Sequence, residues 1–289
     1  MAEPYLGNPI RCEAVLNKFG FSFRKRFGQN FLIDEDVLTG IVESSEVTDR
    51  DIVLEIGPGI GSLTQYLASR AEKVISVEID RSLLPLLDYT LADWDNVTII
   101  NQDILKTDIK ALSEENGGRP FKVVANLPYY ITTPILMNLL EADLPITSIT
   151  VMIQREVADR IKTGPGSKDY GALSVAVQYY AEPEAVIEVD RTSFYPSPNV
   201  DSTVLRLLPY PEKPYKAKNE KTFFGLIRAV FNQRRKTLVN ALSNSPELGI
   251  SKDEVRSLLS KMGLPETTRG ETFDLETFVN FANLMEERL

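Results

Sequence analysis

A chain of 289 residues, 43% hydrophobic and 25% charged, has the make-up of a globular protein of one or two domains, and no apolar run approaches the length of a membrane span. The single cysteine, Cys12, leaves no intramolecular disulfide and no cysteine metal cluster. The absence of histidine removes Ser-His-Asp and Cys-His catalysis, imidazole acid–base chemistry and histidine metal sites together, so no metal is expected. The net charge of −9 is unevenly spread: residues 1–30 carry a local +3, residues 216–240 a local +6 and the remainder −18, so basic patches on an acidic body can still meet a polyanion. Met1-Ala-Glu-Pro-Tyr5 has neither the basic region nor the apolar core of a signal peptide, and a cytoplasmic location is expected.

In chain order, residues 8–19 read as a first helix ended by Gly20. The aromatic and basic segment Phe21-Ser-Phe-Arg-Lys-Arg-Phe-Gly-Gln-Asn-Phe-Leu32 follows. Its Arg24, Lys25 and Arg26 are either an ordinary charged loop or part of a nucleic-acid track. Asp34 suits the N-cap of a helix through Val42. The run Ile52, Val53, Leu54 and Ile56 then fits a buried parallel strand. It leads into glycines at 57, 59 and 61 and a helix opening at Ser62, which together form the start of a nucleotide-binding βαβ unit. The dinucleotide fingerprint would put its third glycine at position 62, which is Ser. With Glu55 two places before the first glycine, the E-x-G-x-G-x-G spacing resembles motif I of S-adenosylmethionine (SAM) methyltransferases.

Strands are predicted at 51–56, 73–79, 97–101, 121–125, 148–153, 184–189 and 202–208, and helices at 61–70, 81–91, 133–142, 155–162 and 171–181. Alternation at this pitch implies an α/β, Rossmann-like, doubly wound parallel sheet of about seven strands. Its last two strands form an antiparallel edge, and ligands gather at the C-terminal strand ends. Pro209, Pro211 and Pro214 interrupt the pattern. Helices are predicted beyond them at 220–232, 234–242, 252–262 and 274–287, so a catalytic domain over 1–209 is expected to precede a small helical domain over 210–289.

Candidate chemistry collects at the strand ends. Val77-Glu-Ile-Asp80 offers two carboxylates; Glu78 is the better placed to accept from ribose hydroxyls, and Asp80 suits a helix N-cap. Asp103 could accept from an adenine amine or serve as a turn residue. Asn126-Leu-Pro-Tyr129 is more specific. The Asn126 side-chain carbonyl and the Leu127 main-chain carbonyl can both accept from an exocyclic amine, which favours the pyramidal, nucleophilic nitrogen. Pro128 fixes the backbone, and Tyr129 offers a face on which an extruded base can stack.

With these stations in order, the chain resembles, nearly end to end, the KsgA family of ribosomal RNA adenine dimethyltransferases. Gly28-Gln-Asn-Phe-Leu32 is similar to that family's leading cofactor motif, which implies SAM contacts at Asn30 and Leu32 alongside Gly57, Glu78, Asp103 and Asn126. Phe194-Tyr-Pro-Ser-Pro-Asn-Val-Asp-Ser202 resembles its F-x-P-x-P-x-V-D-S segment, with Phe194 flanking the target base opposite Tyr129. Asn199 stands where many members have Lys. Phe231-Asn-Gln-Arg-Arg-Lys-Thr-Leu238 is similar to the signature of the helical domain, and Arg269, Glu271 and Leu275 fit that domain's closing helix. The resemblance implies dimethylation of N6 on two adjacent adenosines in a hairpin near the 3′ end of small-subunit rRNA. The substrate would be an assembling subunit, met by a monomer, with Arg234, Arg235 and Lys236 near the start of a helix as RNA contacts.

Three other readings compete. An erythromycin-resistance-type methyltransferase of large-subunit rRNA shares the catalytic design, but usually carries N-I-P-Y and lacks the F-x-Q-R-R-K-T-L match. A non-catalytic assembly or transcription factor on the same fold would have no need of Asn126, Tyr129 and the glycine loop. A nicotinamide oxidoreductase is disfavoured by Ser62 and by residues 126–129.

Overall fold

A computed structural model describes residues 3–24 and 28–287; Lys25 and Arg26 lie outside the described residues. Helix α1 (Pro9–Lys18) is capped by the Asn8 side chain, and β1 (Phe31–Leu32) leads into α2 (Glu35–Ser44), capped by Asp34. The alternating part gives β2 (Ile52–Ile56), α3 (Ser62–Ala68), β3 (Lys73–Glu78), α4 (Leu84–Thr90), β4 (Val97–Asn101), α5 (Ile109–Glu115) and β5 (Phe121–Asn126). It continues through α6 (Thr132–Glu141), β6 (Ile146–Gln154), α7 (Arg155–Lys162), α8 (Ala172–Tyr180), β7 (Ala181–Val189), β8 (Phe194–Tyr195) and β9 (Ser202–Pro209). Helices α9 (Glu220–Asn232), α10 (Leu238–Ser243), α11 (Lys252–Lys261) and α12 (Leu275–Glu286) complete the chain.

Seven strands form one sheet in the order β4-β3-β2-β5-β6-β9-β7, and β1 and β8 pair separately. The body is parallel, with Leu54 level with Ile75 on one side and Val123 on the other, and β9 runs antiparallel to β6. The sheet is therefore the expected parallel body with an antiparallel finish. All of β2 is buried, which is why its sequence is an apolar run interrupted only by Glu55. Its neighbours β3 and β5 leave in opposite directions across the sheet, so a crevice opens beyond the C-terminal end of β2.

Two expected helices are cut differently. A 3₁₀ turn over Arg81–Leu83 precedes α4, because Pro85 has no N–H to donate to the Arg81 carbonyl and a continuous α-helix cannot start at 81. The expected helix at 234–242 begins only at Leu238, and residues 233–236 form a turn. Helix α5, capped by Asp108, was not predicted.

By contact the chain forms two compact units, residues 1–158 with 182–209 and residues 159–181 with 210–289. It thus crosses between them after 158, after 181 and after 209, where the prolines near 210 suggested a single crossing. Helix α8 explains the difference. Its apolar sequence reads as a crossover helix of the sheet, but Tyr179 packs 4.5 Å, centroid to centroid, from Phe223 of α9. In the same unit Tyr170 lies edge-on to Phe231 and donates its hydroxyl to the Phe273 carbonyl at 2.8 Å. No helix among the described residues is long and apolar enough to cross a membrane.

Candidate active site

The glycine loop follows β2 directly. Gly57 and Gly59 have φ of +68° and +62°, a region costly to residues with a Cβ. A Cβ at Gly57 would meet nothing within 4 Å, whereas one at Gly59 would lie 3.0 Å from two carbons of the Phe31 ring. The loop thus presents bare backbone at Gly57 and is packed against β1 at Gly59.

Two buried carboxylates hold this loop. Glu55 accepts from Thr64 Oγ1 at 2.7 Å and Ser76 Oγ at 2.6 Å, tying β2 to α3 and β3. Glu78 accepts from the Asp80 amide at 2.6 Å and the Gly59 amide at 3.3 Å. Burial pushes both up to about 7, outweighing the hydrogen bonds that favour their charged forms. The folded chain therefore keeps protons that the unfolded chain releases near the ordinary value of 4.5. Stability should fall as pH rises from that value to about 7 and level off above it. In Glu55→Gln one of these protons is absent, and the parent-minus-variant difference should swing toward the variant by on the order of 2 kcal/mol between about pH 5 and 8. Urea denaturation across that range measures the swing, and equal pH slopes in the two proteins would contradict it.

One cleft beyond the strand ends, with about 1070 Å³ of empty space including its open mouth, is lined by every residue expected to hold the cofactor: Asn30, Leu32, Gly57, Glu78, Asp103 and Asn126. Asn126, Leu127, Pro128, Tyr129 and Phe194 line the same cleft. Asp103 uses one oxygen to cap the turn at Ile104–Lys106, accepting from Leu105 N at 3.1 Å. Ile79 is 48% exposed between two buried carboxylates and, with Ile104, adds apolar lining beside Asp103. Backbone open at Gly57, a buried carboxylate at Glu78 and an apolar slot edged by Asp103 fit an adenosine-bearing cofactor.

The Asn126 amide is oriented by the main chain. Its Nδ2 donates to the Asn30 carbonyl at 3.3 Å, which leaves Oδ1 as the acceptor on offer. Leu127 N donates to Met152 O at 3.1 Å, so β6 holds the motif in place. The Tyr129 hydroxyl and Ser202 Oγ share a 2.8 Å bond, and burial raises the hydroxyl's pKa, keeping it neutral. Phe194 is 3% exposed and sits opposite Leu32 in the β1–β8 pair.

Sequence reasoning missed Gln29, Tyr130 and Ser202. Each lies inside or beside a motif that was read, and that adjacency was the available signal. Asp80 is the N-cap expected of it, but it also bonds Arg24 and Gln29.

The basic residues divide. Arg24 pairs with Asp80 at 3.1 Å, so part of its charge is engaged within the fold. Arg234, expected as an RNA contact, is a structural tie: its guanidinium reaches Glu271 at 2.6 Å and the carbonyls of Ser167 and Lys168. Arg235 and Lys236 are exposed on the turn between α9 and α10, not at a helix start.

The sequence pattern of the family described as ribosomal RNA adenine dimethylase matches residues 20–281. The chain is 56% identical over 287 residues to the ribosomal RNA small subunit methyltransferase A of Lachnoclostridium phytofermentans, covering 99% of each chain. It is 49% identical to the protein of that name from Clostridioides difficile, covering 95% of each. A dimethyladenosine transferase from Plasmodium falciparum has the same fold, with a TM-score of 0.72 at 24% identity, covering 88% of this chain and 97% of that one. The 23S rRNA methyltransferase ErmE superposes with a TM-score of 0.66 at 29% identity, covering 89% of this chain and all of that one.

Proposed function

The chain belongs to the ribosomal RNA adenine dimethylase family, and we propose that it transfers methyl groups from SAM to N6 of two adjacent adenosines in small-subunit rRNA. The observation that carries the chemistry is the Asn126 amide, whose nitrogen is engaged by Asn30 O and whose carbonyl is left to accept from a target amine. When bound, SAM supplies a methyl group on a sulfonium, already activated for displacement. The chain's residues then have to hold and polarise the nucleophile. Asn126 Oδ1 and the Leu127 carbonyl accept from the N6 hydrogens and localise the nitrogen lone pair, an interaction that strengthens as positive charge develops there. Tyr129, its hydroxyl held by Ser202, and Phe194 flank the extruded base. The N6 proton leaves to solvent after transfer, and no histidine is needed.

The small-subunit substrate is supported by 56% identity over nearly the whole chain to a small-subunit methyltransferase, against 29% to the large-subunit enzyme ErmE. The reading extends to a cytoplasmic monomer acting on assembling subunits, with the helices beyond 210 contacting the particle. Mass analysis of small-subunit rRNA fragments from cells with and without the protein tests it. Two adjacent dimethyladenosines lost with the protein are expected; unchanged rRNA, or a loss confined to the large subunit, would refute it.

Arg235→Gln with Lys236→Gln should weaken binding to immature small subunits. The slope of log K against log salt should flatten by slightly less than one unit for each phosphate that is no longer neutralised. Arg234→Gln should instead lower the melting temperature. An unaltered slope in the Arg235/Lys236 variant would remove that turn from the RNA track.

A further inference from the structure

Asp80 does more than cap a helix. It is 2% exposed, and Oδ1 accepts from Ser82 N at 3.1 Å, Ser82 Oγ at 2.8 Å and Arg24 Nη1 at 3.1 Å, while Oδ2 accepts from Gln29 Nε2 at 2.9 Å. The Ser82 bonds are those of an N-cap, a task an exposed Asn or Ser performs as well. The other two reach residues 56 and 51 positions away, in the segment leading to β1. A carboxylate withdrawn from water needs such donors, and these join it to the active site.

Gln29 is held at both ends, because its Oε1 accepts from Arg24 N at 2.9 Å. The next carbonyl along, Asn30 O, accepts from Asn126 Nδ2. The two residues after it, Phe31 and Leu32, are in register with Tyr195 and Phe194. In the other direction, Asp80 N donates to Glu78, which also holds the Gly59 amide. One polar path therefore runs from the glycine loop through Glu78, Asp80, Gln29 and Asn30 to Asn126.

We propose that Asp80 is a positioning residue for methyl transfer, holding Gln29 so that the Asn30 carbonyl turns the Asn126 amide toward its substrate while the cofactor loop is referred to the same point. The inference rests on the methyltransferase reading above. It makes the Gln29 amide, which joins Asp80 to the main chain at Arg24, matter to turnover.

An exchange of polarity tests it. Asp80→Asn sets an amide NH₂ against that of Gln29, and Gln29→Glu sets two carboxylates face to face. In the double variant the new amide donates to the new carboxylate, whose other oxygen still accepts from Arg24 N, so the link is restored in reverse. Each single substitution should lower kcat about tenfold or more with KM for the immature subunit within about twofold, and the double should return to within about threefold of the parent. Hydrogen exchange of residues 28–32 in the protein without cofactor should quicken in both single variants and recover in the double.

Parental kcat in Gln29→Glu, or a double variant no better than Asp80→Asn, would reduce Asp80 to a helix cap. If Asp80→Asn does not fold, Gln29→Ala decides, since it leaves the cap intact: lost turnover at an unchanged melting temperature supports the proposal, and parental turnover overturns it. A parent inactive on small subunits would sink the methyltransferase reading alone, and the exchange measurement would still decide the positioning.

Discussion

Asn126→Ala is expected to lower kcat at least about 10²-fold, the scale on which a single directed polar contact to a developing charge acts. The substitution removes the side-chain acceptor offered to the target amine and leaves the Asn30 carbonyl without its donor. Because the missing interaction is strongest in the transition state, kcat should carry most of the effect and the KM for RNA little of it. Cofactor affinity should change less, since Asn30, Gly57 and Glu78 remain in the cleft. Single-turnover methylation of purified small subunits separates the terms. Near-normal turnover in the variant would remove Asn126 from the chemistry.

Gly59→Arg should weaken SAM binding by about 10²-fold or more, because the cofactor's partners are misoriented rather than because a donor is missing. At φ +62° any side chain is strained, and the new Cβ would press on the Phe31 ring at 3.0 Å. Phe31 is held between Phe21 and Phe23, at centroid distances of 5.8 and 5.6 Å, and cannot yield without shifting Asn30 and Leu32 beside it. Gly57→Ala separates the two components. Its Cβ enters open space in the cleft, so stability should suffer only the φ cost, while the wall against which the cofactor lies is altered. Calorimetric titration with SAM, paired with thermal melts, should show Gly59→Ala the less stable protein and Gly57→Ala still compromised in binding. Tight binding by Gly59→Arg would dissociate the loop from the cofactor.

The sheet was readable because its cause is local. Buried parallel strands need unbroken apolar runs, and six of the seven expected strands begin and end within two residues of those observed; only β7 starts earlier, at Ala181. That the candidate site residues share one cleft has a related reason: in a doubly wound sheet, ligands gather where strands end, and Gly57, Glu78, Asp103 and Asn126 lie at or just beyond four successive strand ends. Helix boundaries were less so. Pro85 was in plain view, yet its consequence for the first turn after Asp80 depends on which N–H it lacks.

What the sequence by itself determined, then, was the order of strands and helices, the E-x-G-x-G-x-G loop, the Asn126-to-Tyr129 motif and the two basic stretches, since each is encoded in neighbouring residues. Tertiary structure alone decided which charges are occupied. Arg234 and Arg235 are adjacent and identical in chemistry, but one meets Glu271 and two carbonyls brought up by distant segments while the other stays in solvent. The same holds for α8, whose apolar face suits the sheet or a helical core equally well and is claimed by Phe223. It holds for Asp80 too, a cap in one dimension and a junction with the segment leading to β1 in three, because hydrogen-bond partners 51 and 56 residues away leave no mark on local sequence.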